Sequence, residues 1–187
     1  MLEALNISKT FDGQKVLNGF SARLEKGRKY CLMGASGSGK TTLINILLGL
    51  LKPDSGAVHR APGLKMSAVF QEDRLLEQMT AAANIALVST AGGAEIEKLL
   101  LSLGIPSESL PQPVSAYSGG MKRRVALARA LLAEYDVLFL DEPYKGLDEE
   151  TRRSVIAIVQ KYTKDKTVLL ITHDKTETEG YIPLVLK

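Results

Sequence analysis

The 187 residues contain no tryptophan and one cysteine, and aromatic side chains make up only 5% of the chain. A lone Cys31 excludes an intramolecular disulfide, and its setting in Lys29-Tyr30-Cys31-Leu32-Met33 reads as a buried strand, as expected of a reducing cytoplasm. With so few aromatics, the 45% hydrophobic content falls mainly to Ala, Leu, Ile and Val, which suits an α/β interior. Neither sign of charge dominates: 24 Lys and Arg face 21 Asp and Glu, and no basic run exceeds Lys122-Arg123-Arg124, so nucleic acid is not an expected partner. Long hydrophobic runs are missing too. The most apolar stretch, 43–51, is interrupted by Asn45 and Gly49 and is far shorter than the roughly 20 residues that span a bilayer. The first nine residues mix Glu3, Asn6 and Ser8 into their apolar positions, so no leader peptide is expected either.

What is present fits one packed domain over 1–187. Short apolar runs bounded by turn signals predict strands at 2–7, 28–33, 67–70, 137–140, 168–172 and 183–186. Helical patterns lie between them at 40–50, 80–88, 94–103, 119–133 and 149–164, several ended by Gly or Pro. Strand and helix alternate, as in α/β folds with a mostly parallel sheet. Residues 73–134 break the alternation with helices and two Pro-containing loops, which reads as a helical subdomain inserted into a core of 1–72 and 135–187. There is no internal repeat and no low-complexity tract.

The strongest signal is Gly34-Ala35-Ser36-Gly37-Ser38-Gly39-Lys40-Thr41-Thr42, which fits the phosphate-binding loop pattern between an apolar strand and a helix. The glycines let successive backbone N–H groups turn toward phosphates, and the helix start adds its positive end. Lys40 would then reach the terminal phosphates, while Thr41 offers a hydroxyl to Mg²⁺. A flexible Gly/Ser turn is the plain reading, but chance gives this pattern in roughly one chain of this length per hundred.

Downstream, Val137-Leu138-Phe139-Leu140-Asp141-Glu142 is an apolar strand ending in two carboxylates, at the end where α/β folds place ligands. Asp141 would hold Mg²⁺ and Glu142 would polarise the water that attacks the γ-phosphate. Tyr117-Ser118-Gly119-Gly120-Met121 precedes a helix carrying Arg123, Arg124 and Arg129. Taken alone, Ser118 is a helix N-cap. Ser118, Gly119 and Gly120 also form a second potential anion site, which a second copy of the chain could use in trans.

In this order the motifs resemble the ABC (ATP-binding cassette) ATPase family over nearly the whole chain, from the opening strand to His173. The resemblance implies a P-loop ABC-type core with an antiparallel β portion near the N-terminus, ATP and Mg²⁺ as ligands, and ATP hydrolysis as the activity. Ser118, Gly119 and Gly120 match the signature that closes on the ATP of the other subunit, while Tyr117 and Met121 replace its usual Leu and Gln. Gln71, in Val69-Phe70-Gln71-Glu72-Asp73, matches the Q-loop glutamine at the Mg²⁺ site. His173, after the apolar run ending in Thr172, matches the switch histidine that contacts the γ-phosphate and orients the catalytic Glu and water. Gly146-Leu147-Asp148 resembles the D-loop, with Tyr144-Lys145 where small residues are commoner, and Phe11 resembles the aromatic residue that stacks on adenine.

Phe70 to Leu76, Ser118 to Met121 and Asp141 to Tyr144 are similar to importer ATPases of the nitrate, sulfonate and taurine group. The resemblance therefore implies a transporter's ATPase subunit, peripheral on the cytoplasmic face of the membrane. Its partners would be a second copy or a similar ATPase subunit, a membrane permease and, through the permease, a solute-binding protein. The alternative is a soluble ABC-type ATPase that acts on a macromolecular complex. For an importer ATPase the chain is short, with only 174–187 after His173 and a trimmed stretch at 79–110, and no appended regulatory domain is expected.

Overall fold

The structure, a computed structural model, describes residues 1–35 and 37–186. In chain order the elements are β1 (Leu2–Phe11), β2 (Gln14–Leu24), β3 (Lys29–Met33), α1 (Lys40–Leu48), β4 (Ser55–Arg60), β5 (Met66–Val69), α2 (Ala81–Ala86), α3 (Gly93–Ser102), α4 (Gly119–Leu132), β6 (Val137–Asp141), α5 (Glu149–Tyr162), β7 (Thr167–Ile171) and β8 (Ile182–Val185). They fall into two compact units. The first comprises Met1–Met66, Asp136–Asp141 and the chain from Asp165 onward, and the second comprises Ser67–Tyr135 and Glu142–Lys164. No helix among the described residues is long and apolar enough to cross a membrane.

In the first unit, β6, β7, β3 and β8 stand side by side in that order, all parallel. Every residue of β6 and β7 is buried, which is why both read as unbroken apolar runs with no alternation. Cys31 is a core residue inside β3, and burial raises its thiol above the usual range, which disfavours the thiolate. Antiparallel pairing in the order β2-β1-β4 makes a second sheet. Helix α1 packs between the two: Leu43 and Leu47 line one small apolar cavity of about 10 Å³ with Leu2, Phe20, Leu24 and Leu169. The mostly parallel α/β core and the antiparallel portion near the N-terminus are thus both found.

The two strands absent from the sequence reading, β2 and β4, belong to this antiparallel sheet. The β1–β2 register slips between Ala4 and Ile7, between Ile7 and Lys9, and between Lys9 and Thr10. Each slip interrupts the period-two alternation by which a half-buried strand is read. In β4 five of the six residues are exposed, so no hydrophobic face marks it. One local signal did point to β2. Asp12 and Gly13 take φ values of 47° and 80°, the left-handed pair of a two-residue hairpin turn for which Asp-Gly is a preferred sequence.

The second unit is helical: α4 packs against α2, α3 and α5, burying Val125, Leu127 and Leu131. Its connecting loop is tied down by Asn84, which is 1% exposed. The Asn84 amide accepts from the Leu76 N–H at 2.8 Å and donates to the Leu76 carbonyl at 3.1 Å. Between 73 and 134 the described residues form no strand, only an isolated bridge between Thr80 and Pro113.

The parallel register sets up the site. Leu32 of β3 and Asp141 of β6 both lie level with Ile171 of the intervening β7. The segments leaving these three strands, at Gly34, Asp141 and Thr172, therefore emerge at one carboxyl edge of the sheet, where open α/β folds bind ligands.

Candidate functional site

After β3 the chain turns sharply into α1. Gly37 (φ 79°) and the helix N-cap Gly39 (φ 90°) both lie in the left-handed region. At Gly39 there is also no room: a Cβ would sit 2.8 Å from the Val16 carbonyl oxygen and 2.8 Å from its Cγ1. Gly39→Ala is expected to destabilise the protein by about 2–4 kcal/mol, the sum of left-handed backbone strain and a forced shift of β2. Urea unfolding of the purified variant measures this.

Lys40 is 6% exposed, and its ammonium is folded back onto the loop that precedes it. It donates to the carbonyls of Gly34 at 2.8 Å and Ala35 at 2.7 Å, and to Ser38 Oγ at 3.4 Å. The loop is therefore wrapped around a buried cation, a cradle suited to polyphosphate oxygens. Ser36, assigned to the same loop, lies outside the described residues.

Thr41, one residue into α1, donates its hydroxyl to Asp141 Oδ2 at 2.7 Å across 100 residues of sequence. Asp141 is 3% exposed. A hydroxyl and a carboxylate meeting at the end of a phosphate loop are the hard oxygen donors Mg²⁺ takes from protein when phosphates and water supply the rest, so these residues fit that ion. Beyond β7, Thr172 donates its hydroxyl to the buried Glu177 and accepts from the Asp174 N–H at 3.0 Å. These bonds fix the backbone on both sides of His173, whose side chain is exposed. Phe11 ends β1 and is 43% exposed, with the Lys9 ammonium over its ring, 5.5 Å from the centroid.

The remaining expected residues belong to the second unit. Ser118 is the N-cap of α4, accepting from the Met121 N–H at 3.3 Å, and the exposed Gly119 and half-buried Gly120 begin its first turn. Glu142 holds φ at 48°, rare for a residue with a side chain, and its carboxylate pairs with Lys145 at 3.0 Å. Gln71 is exposed, and its backbone carbonyl accepts from Arg123 at 3.2 Å. Sequence reasoning missed Arg123, the bonds that hold the His173 segment, and the pairing of Lys145 with Glu142. Only Lys145 gave a signal, as a long cation where small residues are commoner.

A glycine-rich loop closing over a buried lysine at the carboxyl edge of a parallel sheet, with a hydroxyl–carboxylate pair beside it, defines a phosphate-loop nucleotide-binding protein. Residues 17–145 match the family model described as ABC transporter. The chain is 38% identical over 192 residues to a taurine import ATP-binding protein of Pseudomonas aeruginosa, a match covering 94% of this chain and 73% of that protein. It is 41% identical over 180 residues to an aliphatic sulfonates import ATP-binding protein of Pseudomonas fluorescens, covering 94% and 68%. A thiamine import ATP-binding protein of Haemophilus influenzae is 34% identical over 185 residues, covering 89% and 86%. The fold superposes on a bacterial ABC transporter cassette solved as a dimer with a TM-score of 0.87 at 26% identity, covering 100% of this chain and 94% of that one. The chain belongs to the ABC transporter family, and its similarity to taurine and sulfonate import proteins agrees with the group to which the sequence motifs point.

Proposed function

We propose that this chain is the ATP-binding and ATP-hydrolysing subunit of an ABC importer, and that it drives solute movement through membrane permease subunits. The observation that carries this reading is the Thr41 hydroxyl set against the buried Asp141 carboxylate beside the Lys40 cradle. Gly34, Ala35, Ser36, Gly37, Ser38, Gly39 and Thr42 wrap the phosphates, Lys40 binds the terminal ones, and Phe11 stacks on the adenine. Thr41, Asp141 and Gln71 would hold Mg²⁺, which would supply neutralisation of the phosphate charge. Glu142 is the general base for the attacking water and His173 orients it. Ser118, Gly119 and Gly120 present the start of α4 to the γ-phosphate held by a second copy or a similar subunit.

Residues 1–72 and 135–187 form the nucleotide-binding core of one ATPase domain, and 73–134 the helical subdomain. A closed dimer that prefers ATP to ADP converts hydrolysis into motion. The subunit works peripherally, on the cytoplasmic face of the membrane, with a solute-binding protein reached through the permease. Relatives named for import favour this over an ATPase acting on a soluble macromolecular complex. A structural neighbour bound to ADP and Pi supports turnover.

The test is to hold tagged Glu142→Gln protein with ATP and identify what co-purifies from native membranes. A polytopic membrane protein is the expected partner. Recovery of soluble or nucleic-acid-bound partners alone would falsify the transport reading.

A further inference from the structure

Arg123 lies on the first turns of α4, just past the glycines of the signature, yet it is 4% exposed. Burying a guanidinium is costly unless its donors are taken up, and here they are. One nitrogen donates to the Phe70 carbonyl and to Asp73 Oδ1 at 3.0 Å, and the other to the carbonyls of Gln71 at 3.2 Å and Glu142 at 3.0 Å. A single planar group thus joins the backbone of the segment carrying Gln71 to the backbone of Glu142. Burial raises the Asp73 carboxyl above the usual carboxylate range, with Arg123 the largest opposing influence.

The conformation at Glu142 gives this joint its meaning. A glutamate at φ 48° persists only where its surroundings over-determine it, and the Glu142 carbonyl accepts from both Arg123 and the Lys145 N–H at 3.2 Å. We propose that Arg123 is a positioning residue for hydrolysis: it holds Glu142 in the left-handed conformation that aims its carboxylate, and it makes the Gln71 segment and the base move as one. This rests on the reading of Glu142 as the base.

Lysine at this position keeps the charge opposite Asp73 but cannot span four acceptors from one plane. Arg129, on the same helix, supplies the comparison, because it supports the same loop through the carbonyls of Asp73 at 2.9 Å and Arg74 at 2.7 Å. Steady-state ATPase assays and titration with a fluorescent ATP analogue, on the assembled transporter, should separate the two. Arg123→Lys is expected to lower kcat about tenfold or more, as misplaced catalytic groups do, with KM and nucleotide Kd within about twofold of wild type. Arg129→Lys should leave kcat within about threefold on the same ground of unaltered geometry at Glu142. In a Glu142→Gln background Arg123→Lys should lower the residual rate by no more than about twofold, because residues acting as a unit are non-additive. Normal kcat in Arg123→Lys, equal losses in the two lysine variants, or a full additive loss in the double variant each overturns the proposal. If Glu142→Gln alone hydrolyses normally, the base assignment fails and takes this proposal with it. A silent Glu142→Gln beside a normal Arg123→Lys removes Arg123 alone.

Discussion

Glu142→Gln should bind ATP as wild type does and lose hydrolysis by about 10²–10⁴-fold, the range removed with a general base. The amide is nearly isosteric with the carboxylate, so the shape of the site survives while its ability to take a proton from water does not. Backbone support is also retained, since the Arg123 guanidinium and the Lys145 backbone N–H donate to the Glu142 carbonyl oxygen, which the substitution leaves in place. The substitution weakens the ion pair with Lys145, whose side chain is 62% exposed against 15% for Glu142. An ion pair with so exposed a partner is screened by solvent and contributes about 1 kcal/mol or less, so the fold should tolerate its loss. The measurement is single-turnover hydrolysis beside equilibrium ATP binding and size-exclusion chromatography. Tight binding, no turnover and an ATP-held dimer are expected together. Wild-type turnover would remove Glu142 from the role of base.

The order of legibility along the chain follows how local each signal is. The loop from Gly34 to Thr42 and the strand ending in Asp141 are contiguous in sequence, and their chemistry depends on residue type at fixed spacing, so both could be read directly. The sheet that brings them together could be read too, because strands buried on both faces are apolar throughout, as β6 and β7 are. The antiparallel strands were harder, since bulges scramble the alternation of β2 and exposure erases that of β4. Arg123 shows the limit most clearly. In sequence it is one member of a basic triplet on a helix, and its partners lie 53, 52, 50 and 19 residues away. No spacing rule points to them; only the packing of α4 does. Ser118 shows the reverse: the plain reading holds, because its hydroxyl caps α4, and the same bond sets that hydroxyl at the positive end of the helix, where the proposed anion site would lie.

Lys40→Ala should act on binding where Glu142→Gln acts on turnover. The Lys40 ammonium is 6% exposed and bonded to the Gly34 and Ala35 carbonyls at 2.8 and 2.7 Å, so its removal leaves the loop without its central cation. Hydrogen bonds to charged groups contribute about 1.5–3 kcal/mol each, and losing one such contact to the terminal phosphates weakens ATP binding by about 10–100-fold. Thermal unfolding makes the effect visible without relying on catalysis. At a free ATP concentration near 100 times the wild-type Kd, wild type should gain about 2.7 kcal/mol from the ligand. A variant with 100-fold weaker affinity should gain only about 0.4 kcal/mol under the same conditions. A 10-fold loss would leave about 1.4 kcal/mol, so the ATP-induced rise in Tm should fall by at least about half in Lys40→Ala while it persists in full in Glu142→Gln. If Lys40→Ala keeps the full rise, the ammonium serves only to hold the Gly34 and Ala35 carbonyls, and the phosphates must be bound by the loop N–H groups without it.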